Sequence, residues 1–271
     1  MKEQANRRAG RHREPKSLLL IFGSQRSGTT MLSSIFDADP QARLFDEMGS
    51  LSSSDPNRLR LNDLDDVRSQ MQGSLSPLVV AKPLVESHRV VELLEELPNS
   101  YAVWMFRSYI DVTSSRLKRW GDDIGDRNLR PIYENDQTSW RAVDLEPHVR
   151  DMIVSHPFED LSAADGSALF WYARNTHFFR QHLHEHPRVL MVRYEDLVTD
   201  PRTTMGRVYR LVGRPPADGD TYAHVVSSSV GKGSHLEIAA DIRAVCDEMT
   251  TRLEQAYADQ MMVDSDDGGL R

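Results

Sequence analysis

The chain has 271 residues with 33 Lys+Arg against 41 Asp+Glu, a formal net charge of −8. That length fits one large α/β domain or two small ones, and the acidic balance argues against a general nucleic-acid binder. Any bound anion must be held by a local cluster of cations, and the single cysteine, Cys246, excludes an internal disulfide scaffold.

Residues 1–16 carry Lys2, Arg7, Arg8, Arg11, Arg13 and Lys16 with little apolar content, and read as a basic disordered tail. The apolar run at 17–22 has strand length and is too short for a signal peptide or a membrane span. The reading is a soluble cytoplasmic protein without a membrane partner. Directly after this strand comes GSQRSGTT (residues 23–30), which opens a helix predicted over 27–38. In that context backbone N–H groups and a helix N-terminus hold a phosphate. Gly23 and Gly28 have the spacing of a Walker A loop, G-x-x-x-x-G-K-S/T, but Thr29 stands where the lysine belongs. Such a loop suits a single 5′-phosphate better than a triphosphate, and Arg26 puts a positive charge on it.

Residues 42–45 form a weaker strand candidate, followed by Asp46 and Glu47. A strand at 77–81 ends in Lys82-Pro83, and a helix is predicted at 88–97. The strand at 101–106 ends in Arg107 rather than a Walker B aspartate, so the machinery for Mg²⁺ and a triphosphate is incomplete. A helix over 110–120 carries Ser115 and Arg119. Residues 121–165, with Pro131, Pro147, Pro157 and many charges, break the rhythm and read as an insertion or lid over an acceptor site. Further on, a helix at 167–184, a strand at 188–192, a helix at 202–212 and a closing helix at 237–258 complete the pattern. Residues 264–271 read as an acidic tail, leaving 17–263 as the folded domain. Trp171, Tyr172, Phe178 and Phe179 have helical spacing and read as core. His182, His184 and His186 do not converge on a helix, so no metal is expected. Strand–helix alternation makes this an α/β protein: a P-loop-like three-layer sandwich with a central, mostly parallel sheet.

Three blocks together resemble the sulfotransferases that use 3′-phosphoadenosine 5′-phosphosulfate (PAPS). The RSGTT run at 26–30 resembles their 5′-phosphosulfate loop and is most similar to the tyrosylprotein and bacterial branch. Arg107 and Ser115, eight residues apart, resemble the pair that binds the 3′-phosphate, with Arg119 one turn further on the same helix face. VRYEDL at 192–197, followed by Asp200-Pro201, resembles a third family segment, whose tyrosine, here Tyr194, lies near the nucleotide. The serine and lysine run at 226–235 resembles a late cofactor loop, with Ser229 and Lys232 as its contacts.

The resemblance covers residues 17–260. It implies PAPS as donor, 3′,5′-adenosine bisphosphate as product and no metal. It implies Arg26, Ser27, Gly28, Thr29, Thr30, Arg107, Ser115, Arg119, Tyr194, Ser229 and Lys232 as donor-binding residues. It implies Glu47 as base, because Glu47 lies 21 residues after Arg26 as the catalytic glutamate does in the tyrosylprotein branch, with Asp46 as rival. Lys82 resembles the family lysine that stabilises developing charge. Leu84 occupies the position of the aryl branch's histidine base, and His88 is a minor candidate for that role. Gly49 replaces an arginine of the tyrosylprotein branch, and the R-K-G-x-x-G-x-W-K signature of cytosolic members is absent, so peptide-tyrosine specificity and the adenosine-side contacts are not implied. The acceptor is a hydroxyl or amine of a small molecule, carbohydrate or peptide. The competing readings are an atypical P-loop kinase or NTPase, which would bind ATP with Mg²⁺, and a non-catalytic nucleotide-binding protein.

Overall fold

A computed structural model of the chain describes residues 2–226, 230–233 and 235–267. The order of elements is α1 (Lys2–Arg8), β1 (Ser17–Gly23), α2 (Thr29–Ala38), β2 (Ala42–Phe45), α3 (Leu64–Gly73), β3 (Leu78–Ala81), α4 (Val90–Glu96), β4 (Ser100–Phe106), α5 (Tyr109–Trp120), α6 (Ile124–Tyr133), α7 (Pro147–Val154), α8 (Ala163–Arg180), β5 (Val189–Arg193), α9 (Tyr194–Thr199), α10 (Pro201–Leu211) and α11 (Ala240–Asp267). The five strands form one sheet in the order β2-β3-β1-β4-β5, and every neighbouring pair is parallel. The strand at 42–45 has the bounds the sequence suggested, and the other four agree within a residue or two.

Each central strand buries both faces. Leu18, Leu20 and Phe22 of β1, with Val79 and Ala81 of β3 and Ala102, Trp104 and Phe106 of β4, pack against the layer that contains α4, α5, α8 and α11. Leu19, Ile21, Leu78, Val80, Val103 and Met105 point the other way, onto α2, α9 and α10. A parallel strand covered on both sides has no polar face to present, which is why β1 reads as an unbroken apolar run. The result is the three-layer α/β sandwich expected from the alternation.

Helix starts follow local chemistry. Ser162 and Asp165 form a capping box at α8, each bonding the other's backbone or side chain. Asp200 caps α10 through Thr203 N, with Pro201 at the first helical position.

Two regions differ from the sequence reading. The first is the basic segment 1–16, expected as a disordered tail. Residues 2–8 form α1, and fully buried Asn6 donates to Pro40 O and Ser76 Oγ, both at 3.0 Å. Lys2 reaches Phe36 O and Asp37 O at the end of α2, and Glu14 pairs with Arg214 at 2.6 Å. These anchors are polar side chains whose partners lie distant in sequence, so no local apolar pattern announces them. The second is 121–165, expected as an insertion or lid over an acceptor site. It folds into α6 and α7, and Leu129, Ile132, Trp140, Val149 and Ile153 enter the main core. Gly125 of α6 and Gly166 of α8 let the two helices close, since a Cβ on Gly166 would lie 3.0 Å from the Gly125 Cα. At the other end, α11 continues to Asp267, and the rest of the expected acidic tail lies outside the described residues.

The predicted helix at 88–97 is α4 over Val90–Glu96, entered through a 3₁₀ turn over Leu84–Arg89. Trp171 and Phe178 are buried core residues, with Tyr172 and Phe179 packed at the edge of the same core. No helix among the described residues is long and apolar enough to cross a membrane.

Candidate active site

The carboxyl ends of all five strands meet on one side of the sheet. In open α/β sheets this is where ligands bind. β1 leads into the 23–30 loop, β2 into Asp46 and Glu47, β3 into Lys82, β4 into Arg107 and β5 into Tyr194. The five segments are distant in sequence, and the parallel register aligns their ends.

The loop begins with a close approach of backbone to backbone. Gly23 has φ +131°, and a Cβ there would lie 2.2 Å from Met105 O. Gly28, at φ +96°, would put a Cβ 2.2 Å from Tyr194 Cδ2. The Tyr194 ring thus closes directly over the loop glycine. Gly28→Ala is expected to cost about 1–3 kcal/mol of stability through overpacking and the left-handed backbone. Denaturant unfolding of the variant, followed by bisphosphate calorimetry, would show that loss together with weakened anion binding; an unchanged midpoint would count against the packing.

Between these glycines Arg26 has φ 73°, a costly conformation for a non-glycine residue, and donates from Nε to Ser115 Oγ at 3.0 Å. Arg107, 5% exposed, donates to Arg26 O at 3.4 Å, pairs with Asp111 at 3.4 Å and stacks over the Tyr194 ring at 4.2 Å. Burial pushes the Arg26 pKa down, and Arg119 and Arg107 push it further in the same direction. The Arg26 and Arg107 guanidinium groups therefore sit side by side at the cleft against their mutual repulsion, with the exposed Arg119 adding to it from outside. An anion binding between them relieves that repulsion with directed donors.

A cleft of about 360 Å³ runs along this cluster, lined by Arg26, Gly28, Thr29, Thr30, Arg107, Ser115 and Tyr194. Ser27 lies buried in the loop below, its Oγ without a hydrogen-bond partner among the described residues. The backbone amides of a loop entering a helix, the arginine cluster and the unused Ser27 hydroxyl fit a nucleotide with separated phosphates. A second cleft of similar volume lies beside Arg107, lined by Ser108, Trp171, Val230, Gly231 and Glu254 among others. Only the first of the two clefts contains the loop.

At the other end of the loop Lys82 is 4% exposed, with Nζ 3.0 Å from Asp46 Oδ1, 3.6 Å from Glu47 Oε2 and 3.4 Å from Thr30 Oγ1. The two carboxylates differ in setting. Asp46 is 61% exposed and accepts from the Glu47 amide at 2.9 Å, whereas the Glu47 side chain is 32% exposed. Burial pushes the Glu47 carboxyl up, Lys82 opposes and Asp46 reinforces the rise, and the net shift is upward. Burial therefore outweighs the neighbouring lysine at Glu47. Met48 beyond it has φ 58° and is exposed.

Other residues fall outside this arrangement. Arg119 is exposed and does not line the cleft, although its charge is felt at Arg26. Lys232 is exposed and lines neither cleft; its loop is tied to α5 by Gly231 N and Gly233 N donating to Asp111 at 2.8 and 3.0 Å. Ser229 lies outside the described residues. His88 is buried, its pKa pushed down to about 4 chiefly by burial, and it faces His177 at 6.4 Å. Among the described residues no group of three or more His, Cys, Asp or Glu is placed to hold a metal.

Sequence reasoning missed His224, which lines the cleft and lies 2.8 Å from Ser34 Oγ on α2. It also missed Trp120, whose ring lies 5.8 Å from the Arg26 guanidinium. Neither has a local signal, because both come to the loop through tertiary packing.

The sulfotransferase domain model matches residues 16–253. Among solved structures, the sulfotransferase domain from the Synechococcus PCC 7002 olefin synthase is similar, with TM-score 0.51 and 16% identity over 88% of this chain and 95% of that one. The sulfotransferase domain from the curacin biosynthetic pathway gives TM-score 0.51 and 14% identity over 88% of this chain and 98% of that one. At these identities the likeness bears on the fold alone. A comparison with curated protein sequences gives no match. The family match takes in all five strands and every residue of the site just described, and the chain belongs to the sulfotransferase family.

Proposed function

We propose that this chain transfers a sulfuryl group from PAPS to a hydroxyl or amine of an acceptor. The observation that carries the reading is the meeting of an anion-binding loop, a buried lysine and a carboxylate with a raised pKa at the carboxyl ends of adjacent parallel strands. PAPS supplies the sulfuryl group, which leaves the 5′-phosphate oxygen as its bond to the acceptor oxygen or nitrogen forms.

The loop amides and Arg26 hold the 5′ end of the donor, and Arg107 with Ser115 holds the 3′-phosphate. Arg119 adds long-range positive charge to that end. Tyr194 closes over Gly28 and fixes the Arg107 fork. Lys82 has its charge buried beside Thr30, where it stabilises the charge that develops on the leaving oxygen. Glu47 takes the acceptor's proton, and its raised pKa brings it closer to the operating pH of a general base. An ordinary NTPase lysine is absent from the loop, which favours this donor over ATP.

The direct test is thermal stability with 3′,5′-adenosine bisphosphate in chelator. Binding to the native state alone is expected to add about 2.7 kcal/mol at ~100-fold the Kd. Stabilisation by ATP with Mg²⁺ and none by the bisphosphate would move the reading to a kinase. A PAPS-dependent acceptor screen, reading bisphosphate release and acceptor mass together, then defines the acceptor.

Arg107→Ala separates the two phosphates. The variant is expected to weaken bisphosphate binding far more than 5′-AMP binding, because only the bisphosphate presents a group to Arg107. Calorimetry with both ligands decides it, and equal losses would reject the 3′-phosphate assignment.

A further inference from the structure

Arg116 is fully buried on α5, one residue past Ser115, and its Nε, Nη1 and Nη2 have no hydrogen-bond partner among the described residues. Its guanidinium packs 4.6 Å from the Phe170 ring and 6.0 Å from the Trp120 ring. The charges it feels are all of its own sign: burial first, then Arg141, Arg174 and Arg26, push its pKa down to about 9. A guanidinium remains charged at neutral pH, so the group is a buried, unbalanced cation.

Among the described residues no carboxylate pairs with Arg116, and its neighbours are mainly donors. Arg174, also buried, spends its hydrogen bonds on two carbonyls, Trp140 O at 3.0 Å and Leu84 O at 3.2 Å. The carboxylate that Arg174 feels, Glu86, is paired with Arg89 at 2.7 Å. Arg141 donates from Nε to Asn128 Oδ1 at 2.9 Å, which fixes the amide and leaves buried Asn128 Nδ2 as another donor without a partner. The cluster therefore lacks an acceptor-rich, negatively charged group.

The location indicates where that group comes from. The Trp120 ring lies near both Arg26 of the donor loop, at 5.8 Å, and Arg116, at 6.0 Å, so one indole is shared by the loop and the cluster. On the other side, Leu84 lies two residues past Lys82 on the same segment. The half-buried Arg141 and Trp120 form its outer edge.

We propose that the Arg116 cluster binds an anionic group of the acceptor, a carboxylate, phosphate or sulfate ester, so that the acceptor is an anionic alcohol or amine. This rests on the donor reading above. Arg116 acts in acceptor binding, and the proton and sulfuryl chemistry stays with Glu47 and Lys82. Trp120 must turn aside for the anion to reach Arg116.

The test uses protein saturated with 3′,5′-adenosine bisphosphate, so that the donor's own phosphates occupy their site. Calorimetry compares 4-hydroxyphenylacetate with its methyl ester and glucose 6-phosphate with glucose. At least one anionic probe is expected to bind about 10- to 100-fold tighter than its neutral counterpart, the range of a charge-assisted hydrogen bond. Arg116→Met should abolish that preference while bisphosphate affinity stays within about threefold of the parent, since no donor contact is lost. Arg141→Gln, at the half-buried edge, should reduce the preference and covers the case in which the Arg116 variant does not fold. The proposal is overturned if no anionic probe is preferred or if the preference survives both substitutions. It is equally overturned if Arg116→Met loses bisphosphate affinity, which would assign the cluster to the donor. Failure of the parent protein to bind the bisphosphate would instead remove the donor reading, and this inference with it.

Discussion

Glu47→Gln is expected to lower kcat by about 10²–10⁴-fold while leaving bisphosphate affinity close to that of the parent, the magnitude of a lost general base. The two carboxylates after β2 both reach Lys82, so distance alone does not choose between them. Setting does. Asp46 is largely exposed and already accepts from the Glu47 amide, whereas the Glu47 carboxyl is raised by burial. A base must be ionised to act, so activity is lost as pH falls through the Glu47 pKa. Because that pKa is raised, the acid limb of kcat/KM lies above the range of an ordinary glutamate, and it should vanish in Glu47→Gln. Asp46→Asn should cost less and keep the limb. The decisive measurements are pH profiles of kcat and kcat/KM from varied acceptor concentration, and calorimetry with the bisphosphate. A glutamine variant with near-normal kcat would move the role to Asp46.

Lys82→Met should lower kcat by about 10²–10³-fold, the worth of one preorganised donor at a site of developing charge. Methionine keeps most of the buried volume, so the loss reports the charge rather than a cavity. Bisphosphate affinity should fall much less, because the ammonium acts mainly in the transition state. The same substitution removes the attraction that opposes burial at Glu47. The acid limb of kcat/KM should therefore shift to higher pH, a readout that a merely structural lysine would not move. An unshifted limb and unchanged kcat would place Lys82 outside the chemistry.

What could be read from the sequence was what is local in the chain. The strand β1, the turn at Gly23 and Gly28 and the start of α2 lie within 22 residues, and their apolar run, glycines and threonines report one continuous piece of backbone. The strand ends at Lys82 and Arg107 were legible for the same reason, since an apolar run that stops at a cation marks its own boundary. Family resemblance added Glu47, because its distance from Arg26 is a matter of counting. It also placed Lys232, which the structure leaves on the surface of a loop tied down by Asp111.

The tertiary structure decided which partners each polar group meets. Asn6 looked like part of a solvated tail until Pro40 and Ser76 were placed beside it. Residues 121–165 read as an insertion or lid because their apolar side chains are scattered among charges, and only packing on α8 gathers them into the core. Arg116 is one of two arginines on its helix in sequence, and becomes a buried cation because Phe170 and Trp120 close over it. The rise in the Glu47 pKa belongs to the same class. Periodicity records which face of an element is apolar, whereas burial energy and charge balance depend on groups from other elements, and these are fixed only once the chain has closed on itself.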